Sequence, residues 1–389
     1  MTSPPRNLIL VSYDSVRADV AYSGKFPGIE RLRARGTSFL NCVSSAPLTP
    51  VSHTSIMTGL QPFRHGVRHL FRESLAPETQ TLAGTLGRAG FSTSAVVSCP
   101  GLSRWYGIDN GFGRYDDEIP RLADGSDPLQ TVDVKLRGTA LKRANLVVQR
   151  SRAMLALEGD RRFFHFFHFF DAHWPYEPPE RPFAFAVDNE YEAEIAYLDH
   201  YLNLHLDWLE ESGKIDDTLI VLFGDHGEDL DGLYPNDKGG ERNGHPEETG
   251  HGCLLYDQTI MVPLIFSHPA FERREVVEQV RLVDTMPTCL DMLGVRRREP
   301  VDGVSLAEAV LGLGAPPELP GYSETHYPRE QVEATGGAYE WTRDKKSLRF
   351  GNRYKVIFHL DSDDVEAYDL AADPNETINL IGTPPPVKP

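Results

Sequence analysis

Residues 7–12 read Asn-Leu-Ile-Leu-Val-Ser, an apolar run with no polar alternation. A strand with one face in water alternates, whereas an unbroken run suits a strand covered on both faces, as in parallel sheets flanked by helices. The run ends in Tyr13-Asp14-Ser15-Val16-Arg17-Ala18-Asp19. Ligands of open α/β sheets gather beyond the carboxyl ends of strands, so Asp14 is placed for chemistry. Two later runs repeat the pattern. Residues 163–170, dense in aromatics, deliver Asp171-Ala172-His173-Trp174-Pro175-Tyr176, and residues 218–223 lead into Gly224-Asp225-His226-Gly227-Glu228. His165 and His168 inside the aromatic run are expected to pack in or beside the sheet.

Helical and strand patterns alternate between these runs. Helices are predicted over 26–35, 81–89, 134–158, 191–212 and 283–293, with glycines at 36, 90, 213 and 294 as stops, and strands over 37–43, 91–97 and 261–267. The alternation predicts an α/β fold, a large mixed sheet between helices. Beyond Gly303 the pattern weakens, but 354–358 and 365–370 read as strands of a small antiparallel sheet, followed by a Pro-rich end from Thr383 that is expected to fray. Residues 109–133 and 229–250 are polar and glycine-containing, the second holding His245. They read as irregular loops, the first at the mouth of a site and the second a mobile insertion.

The stretch Pro47-Leu48-Thr49-Pro50-Val51-Ser52-His53-Thr54-Ser55-Ile56-Met57-Thr58-Gly59 reads as a short helix with Thr49 at the N-cap, Pro50 at the first helical position and Gly59 at the stop. A helix N-terminus offers free N–H groups and partial positive charge, and the Thr49 hydroxyl would point into that anion site. His53 falls one turn later on the same face. Taken alone, Thr49 is a cap. Its company is three strand ends carrying Asp14, Asp171/His173 and Asp225/His226. Carboxylate, imidazole and hydroxyl ligands suit Zn²⁺ or Mn²⁺ best, and Mg²⁺ or Ca²⁺ less well. A divalent ion lowers the pKa of a bound hydroxyl and turns a poor nucleophile into a competent one.

The formal net charge of -18 and pI near 5.2 argue against a nucleic-acid polymer or an anionic membrane as partner. A small anionic ester remains compatible, because a bound cation reverses the local field. The four cysteines, Cys42, Cys99, Cys253 and Cys289, form no CxxC pair, which fits a reduced, cytoplasmic protein. The first strand starts too early to leave room for a signal peptide, and no apolar run reaches membrane-spanning length.

Taken in order, these segments resemble the sulfatase branch of the alkaline phosphatase superfamily over almost the whole chain. Residues 7–19 are similar to the family's opening strand and metal-binding Asp, and Thr49-Pro50-Val51-Ser52-His53 through Thr58-Gly59 to its nucleophile motif, followed by Arg64-His65-Gly66-Val67. Asp171 to Tyr176 resembles the motif whose His contacts substrate, and Gly224 to Glu228 the second metal-ligand pair. Val262-Pro263-Leu264-Ile265, Asp284-Thr285-Met286-Pro287-Thr288 and Tyr368-Asp369-Leu370 with Asp373-Pro374 complete the likeness. Three positions depart from it. Sulfatases carry Cys or Ser at the nucleophile and oxidise it to formylglycine, an aldehyde that Thr49 cannot yield. His53 stands for the usual Arg, and Ser15 for a frequent second Asp. Thr nucleophiles in this superfamily belong to phosphodiesterases, nucleotide pyrophosphatase-like enzymes and phospho-group transferases.

The resemblance implies an alkaline phosphatase-like catalytic domain over 1–319 with a small C-terminal subdomain, 320–389, packed on it. It implies one divalent ion held by Asp14, Thr49, Asp225 and His226, with Thr49 as nucleophile towards a phosphate or phosphonate ester. His173 and His251 are candidates to bind a non-bridging oxygen or protonate the leaving oxygen, and His53 to orient or deprotonate Thr49. Arg64 and His65 are candidates for a second anionic group; Arg68 and Arg72 are expected to be solvated. Asp171 could take a second ion with His173 or His251, but one ion, with Asp171 supporting its loop, is the simpler expectation. Transfer to an alcohol, sulfate ester hydrolysis and a non-catalytic binding role are the alternatives, the last disfavoured because nucleophile and ligands are all present.

Overall fold

The computed structural model describes residues 5–121, 125–126, 142–178, 187–239, 250–330, 343–360 and 362–381. His245, part of the 109–133 loop, the start of the predicted 134–158 helix and the Pro-rich end lie outside them. Eight strands form one mixed sheet: β1 Asn7–Tyr13, β2 Gly36–Val43, β3 Ser92–Val96, β4 Arg114–Asp116, β5 Phe163–Phe169, β6 Thr218–Gly224, β7 Met261–Ser267 and β8 Arg274–Arg281, in the order β4-β3-β5-β1-β6-β7-β2-β8. β1 lies between β5 and β6 and runs parallel to both. β7 runs antiparallel to β6 and β2, which makes the sheet mixed.

The apolar run of β1 is divided between two cores. Leu8 and Leu10 face a cluster with Ile56, Met57, Leu82, Phe164, Phe166 and Met286. Ile9 and Val11 face the opposite one, with Ile29, Val147, Phe167, Ile195 and Leu198. Helices cover both faces: α1 Pro27–Arg33, α2 Thr49–Thr58, α3 Leu82–Arg88, α4 Ala144–Ala156, α5 Glu190–Glu211 and α6 Thr285–Met292. Burial of every β1 residue explains the missing alternation.

β8 and β4 were not read from the sequence. Both are edge strands. β8, Arg-Glu-Val-Val-Glu-Gln-Val-Arg, keeps its first five positions half or fully exposed and so carries charges where a central strand cannot. A second sheet of β9 Gly321–Thr325, β10 Lys345–Phe350, β11 Tyr354–His359 and β12 Val365–Asp369 is antiparallel throughout. Its first strand grips the loops of the large sheet: Ser323 Oγ donates to the Ser44 carbonyl at 2.6 Å, Glu324 N to the Ser45 carbonyl at 3.0 Å, and Thr325 Oγ1 to the Gly252 carbonyl. Among the described residues no helix is long and apolar enough to cross a membrane.

Candidate active site

Register brings the site together. Tyr13 of β1 lies opposite Phe169 of β5 and Gly224 of β6, so the next residues, Asp14, Phe170 and Asp225, leave the sheet at one level. Ser15 then turns the chain with φ 59°, a left-handed conformation unusual for a non-glycine residue. That turn aims its N–H at Asp225 Oδ1 (3.2 Å) and its hydroxyl at Asp14 Oδ1 (2.9 Å).

Thr49 is the first helical residue of α2, and Leu48, not Thr49, occupies the N-cap. The Leu48 carbonyl accepts the Ser52 N–H at 2.9 Å, which starts the helix one residue earlier than expected. The Thr49 hydroxyl is thereby released from capping. Its Oγ1 lies 3.1 Å from Asp14 Oδ2 and 3.2 Å from His226 Nε2. Every residue of α2 is buried, and Ser52 Oγ together with Ser44 Oγ donates to the Asp225 carbonyl at 2.7 and 2.5 Å.

His226 Nδ1 faces the Gly227 carbonyl at 3.0 Å, which assigns the ring proton there and leaves Nε2 a free lone pair towards Thr49. Gly227 is forced by close approach: a Cβ would stand 2.0 Å from the Gln258 carbonyl oxygen. Asp225 is fully buried, and its Oδ2 has no hydrogen-bond partner among the described residues. Burial, then the charge of Asp14, pushes the Asp225 carboxyl well up. Burial also pushes Asp14 up, but the hydrogen bond from His168 and the charges of His226 and His168 outweigh it and hold that carboxyl well below its usual range. One ligand atom each from Asp14, Asp225 and His226 lies within 4.8 Å of the others. An orphaned buried carboxylate oxygen, a second carboxylate and a lone imidazole pair fit a divalent cation, with the Thr49 hydroxyl as a further oxygen donor.

His173 and His251 stand on the outer side. His251 is 4.1 Å from the His226 ring and 4.8 Å from the His173 ring, centroid to centroid, and His173 stacks on Phe170 at 4.1 Å. His251 Nδ1 lies 3.2 Å from Glu228 Oε1. Burial lowers His251 to about 4 and raises Glu228 to about 8. A neutral imidazole beside a protonated carboxyl is the result near neutrality, one proton held between two adjoining groups.

Other predicted residues are placed elsewhere. His53 reaches the Thr49 carbonyl through Nδ1 (2.8 Å) and Ser12 Oγ through Nε2 (2.8 Å), not the Thr49 hydroxyl. Burial, then His168, lowers it to about 3, so it is a neutral wall of the site that fixes the first turn of α2. Arg64 is ion-paired to Asp302 at 2.7 Å, and His65 is buried against Ser55 Oγ at 3.0 Å and the Val67 N–H at 3.1 Å. Packing between α2 and the segment after it claims His65, and an ion pair to the segment beyond α6 claims Arg64. Arg68, expected to be solvated, grips Glu324 of β9 with two nitrogens at 2.6 and 3.0 Å. Asp171 accepts from Ala144 N (3.2 Å) and is ion-paired to Arg143 Nε (3.0 Å), supporting the start of α4. The described part of the 229–250 segment is tied down: Asp229 exchanges backbone hydrogen bonds with Gly250, and Asp237 pairs with the buried Arg17.

Sequence reasoning missed His168 and gave Cys99 no role. His168 Nε2 lies 3.0 Å from Asp14 Oδ2. Phe164, Phe166 and His168 share one face of β5, that of α2, while His165 points to the other and meets Ser94 Oγ at 2.8 Å. Spacing within Phe-Phe-His-Phe-Phe-His-Phe distinguishes the two faces, but only the strand order tells which face holds the site.

A sulfatase family model matches residues 6–295, and a second model, described as N-sulphoglucosamine sulphohydrolase, C-terminal, matches residues 251–387. An N-acetylglucosamine-6-O-sulfatase of Bacteroides thetaiotaomicron is 28% identical over 200 residues, 50% of this chain and 32% of that protein. The low-salt glycan biosynthesis sulfotransferase Agl7 of Haloferax volcanii is 26% identical over 321 residues, 77% of this chain and 64% of that protein. Among solved structures, the phosphonate monoester hydrolase of Agrobacterium radiobacter superposes with a TM-score of 0.68 at 18% identity, covering 97% of this chain and 91% of that one. The alignments span about a third of the length of the first curated relatives. With the model covering most of the chain and the fold shared, the chain belongs to the sulfatase family, on an alkaline phosphatase-like fold.

Proposed function

We propose that the chain is a metal-dependent hydrolase of phosphate or phosphonate esters, with phosphodiester-type substrates preferred and Thr49 as nucleophile. The observation that carries this reading is the Thr49 hydroxyl, freed from capping and set between Asp14 Oδ2 and His226 Nε2. Its extra methyl bars the aldehyde that sulfate chemistry in this family uses, while an alkoxide at the same place suits attack on phosphorus. Asp14, Asp225 and His226, with Thr49, would hold one divalent ion, Zn²⁺ or Mn²⁺ by donor type. When bound, that ion supplies a lowered hydroxyl pKa and positive charge facing the ester's oxygens.

The residues of the chain do the rest. Thr49 Oγ1 already donates towards a carboxylate, so its proton has an acceptor as the new O–P bond forms. The bond from phosphorus to the leaving oxygen breaks, and that oxygen takes a proton from the Glu228–His251 pair, with His173 at its edge. Water, giving a proton to the Glu228–His251 pair, then attacks phosphorus, the bond from Thr49 Oγ1 to phosphorus breaks, and Thr49 takes back the proton lent to Asp14. The net charge of -18 supports a small anionic ester over a nucleic-acid polymer or a membrane, and four free, buried cysteines support a reducing, cytoplasmic setting.

A phosphodiester, a phosphonate monoester, a phosphate monoester and a sulfate ester with one common aryl leaving group test the reading. A phosphodiester or phosphonate ester should give the highest kcat/KM, and sulfate as best substrate would overturn the substrate class. Transfer to an alcohol is the second reading, favoured by the likeness to a sulfotransferase over 77% of the chain. Product analysis with added alcohols separates the two, since a transferase yields the new ester in place of the phosphate monoester, phosphate or phosphonate that hydrolysis leaves.

A further inference from the structure

We infer that Asp14, Cys99 and His168 form a second divalent-metal site, with Asp14 bridging it to the site of Asp225 and His226. The carboxylate of Asp14 is divided between two sides. Oδ1 accepts from Ser15 Oγ at 2.9 Å and lies 3.7 Å from His226 Nε2. Oδ2 lies 3.0 Å from His168 Nε2 and 3.1 Å from Thr49 Oγ1. Each oxygen therefore meets a different histidine.

On the Oδ2 side, ligand atoms of Asp14, Cys99 and His168 all lie within 4.8 Å of one another, and all three residues are buried. Zinc bonds of about 2.0–2.3 Å set tetrahedral donors roughly 3.3–3.8 Å apart, so small side-chain adjustments close the set. The turn Pro100–Leu102 holds Cys99 there by packing on the first turn of α2: a Cβ at Gly101 would lie 3.5 Å from Cys99 Sγ and 3.6 Å from Thr49 Cβ. Carboxylate, thiolate and imidazole make three protein ligands, the number that leaves a fourth position open, and the sulfur selects Zn²⁺ or Co²⁺ over Mg²⁺ and Ca²⁺. Two ions sharing a carboxylate stand about 3.5–4 Å apart, a span that one ester oxygen can bridge.

Coordination takes the thiol proton of Cys99 to solvent and requires His168 to present Nε2 bare, its proton moved to Nδ1. Nδ1 now lies 3.4 Å from the Ser98 amide, so the ring must rotate slightly away from it. The inference rests on the reading of Asp14 as a metal ligand and not on which ester is cleaved. Preference for sulfate would sink that other reading and leave the metal count unchanged.

The test titrates chelator-stripped full-length protein with Co²⁺ alone, following the near-ultraviolet thiolate-to-cobalt band and counting bound metal by atomic emission. The native chain should bind two equivalents and show the band. Cys99→Ser should lose the band and one equivalent while keeping the other, and Asp225→Asn should keep the band. A single equivalent without a thiolate band overturns the inference and leaves His168 as a donor that holds Asp14. A band that survives Cys99→Ser overturns it too, because Cys42, Cys253 or Cys289 would then supply the sulfur. Circular dichroism of the stripped variant verifies its fold; were it unfolded, Cys99→Ala and His168→Gln, each expected to lose one equivalent, take its place.

Discussion

The Thr49 hydroxyl lies 3.1 Å from Asp14 Oδ2, joining the start of a helix to the end of the central strand across 35 positions of sequence. A hydroxyl so placed either reacts or merely fills a hydrogen bond, and two substitutions separate these roles. Thr49→Ala should lower kcat by roughly 10³-fold or more, because the covalent step has no substitute group. Thr49→Ser keeps the oxygen and should retain appreciable turnover. Equal activity of Thr49→Ala and the native chain in steady-state assays would remove Thr49 from the mechanism.

Asp225 supplies a buried carboxylate oxygen without a hydrogen-bond partner among the described residues. In Asp225→Asn, affinity for Zn²⁺ or Mn²⁺ should fall by about 100-fold or more, beyond the loss typical of residues that only support a ligand. The sign of the stability change should depend on metal. In chelator the variant should melt at the same temperature or higher, since a costly buried carboxyl is gone; with metal the native chain should melt higher, through ligand linkage. Differential scanning calorimetry in the two buffers checks both.

At Gly227, the carbonyl oxygen of Gln258 would meet a new Cβ at 2.0 Å. Backbone must move for any side chain to fit, and His226 is the neighbouring residue. Gly227→Ala should cost about 1–3 kcal/mol by urea unfolding, as for overpacked cores, and should weaken metal binding as well. Loss of stability with unchanged metal affinity would show that the His226 position tolerates the shift.

Acid should weaken the small sheet. Burial pushes the Glu366 carboxyl up, but hydrogen bonds from His359, Tyr256 and Tyr368 outweigh it and lower the group to about 2 from 4.5. With a depressed folded-state pKa, the unfolded chain binds more protons between these values, so stability rises with pH there. Its contribution, at most about 3 kcal/mol, is complete above pH 4.5 and fades as pH falls towards 2. Glu366→Gln should flatten the melting temperature across that window relative to the native chain.

Legibility in the sequence followed burial. β1, β5 and β6 could be read because both faces are covered and their residues are apolar without alternation, and the site acids follow directly from their ends. Edge strand β8 could not, because half its positions face water and carry charge. His168 was hidden by strand order: two histidines three apart lie on opposite faces, and sequence does not say which face carries α2. Arg64 and His65 look like anion binders until tertiary packing gives them Asp302 and Ser55. Thr49 was read as a cap because its position differs from the true N-cap by a single residue, a step that only the Leu48 carbonyl bond resolves.

The grip of β9 on Ser44, Ser45 and Gly252 also bears on heredity. One strand touches both the loop leading to Thr49 and the loop beyond His251, so any chain that combines these three segments needs them to match one another. A crossover near residue 320 between this gene and that of a relative would join a foreign strand to native loops. Hydroxyls at Ser323 and Thr325 would then be the first features to match or clash, well before any residue of the site itself.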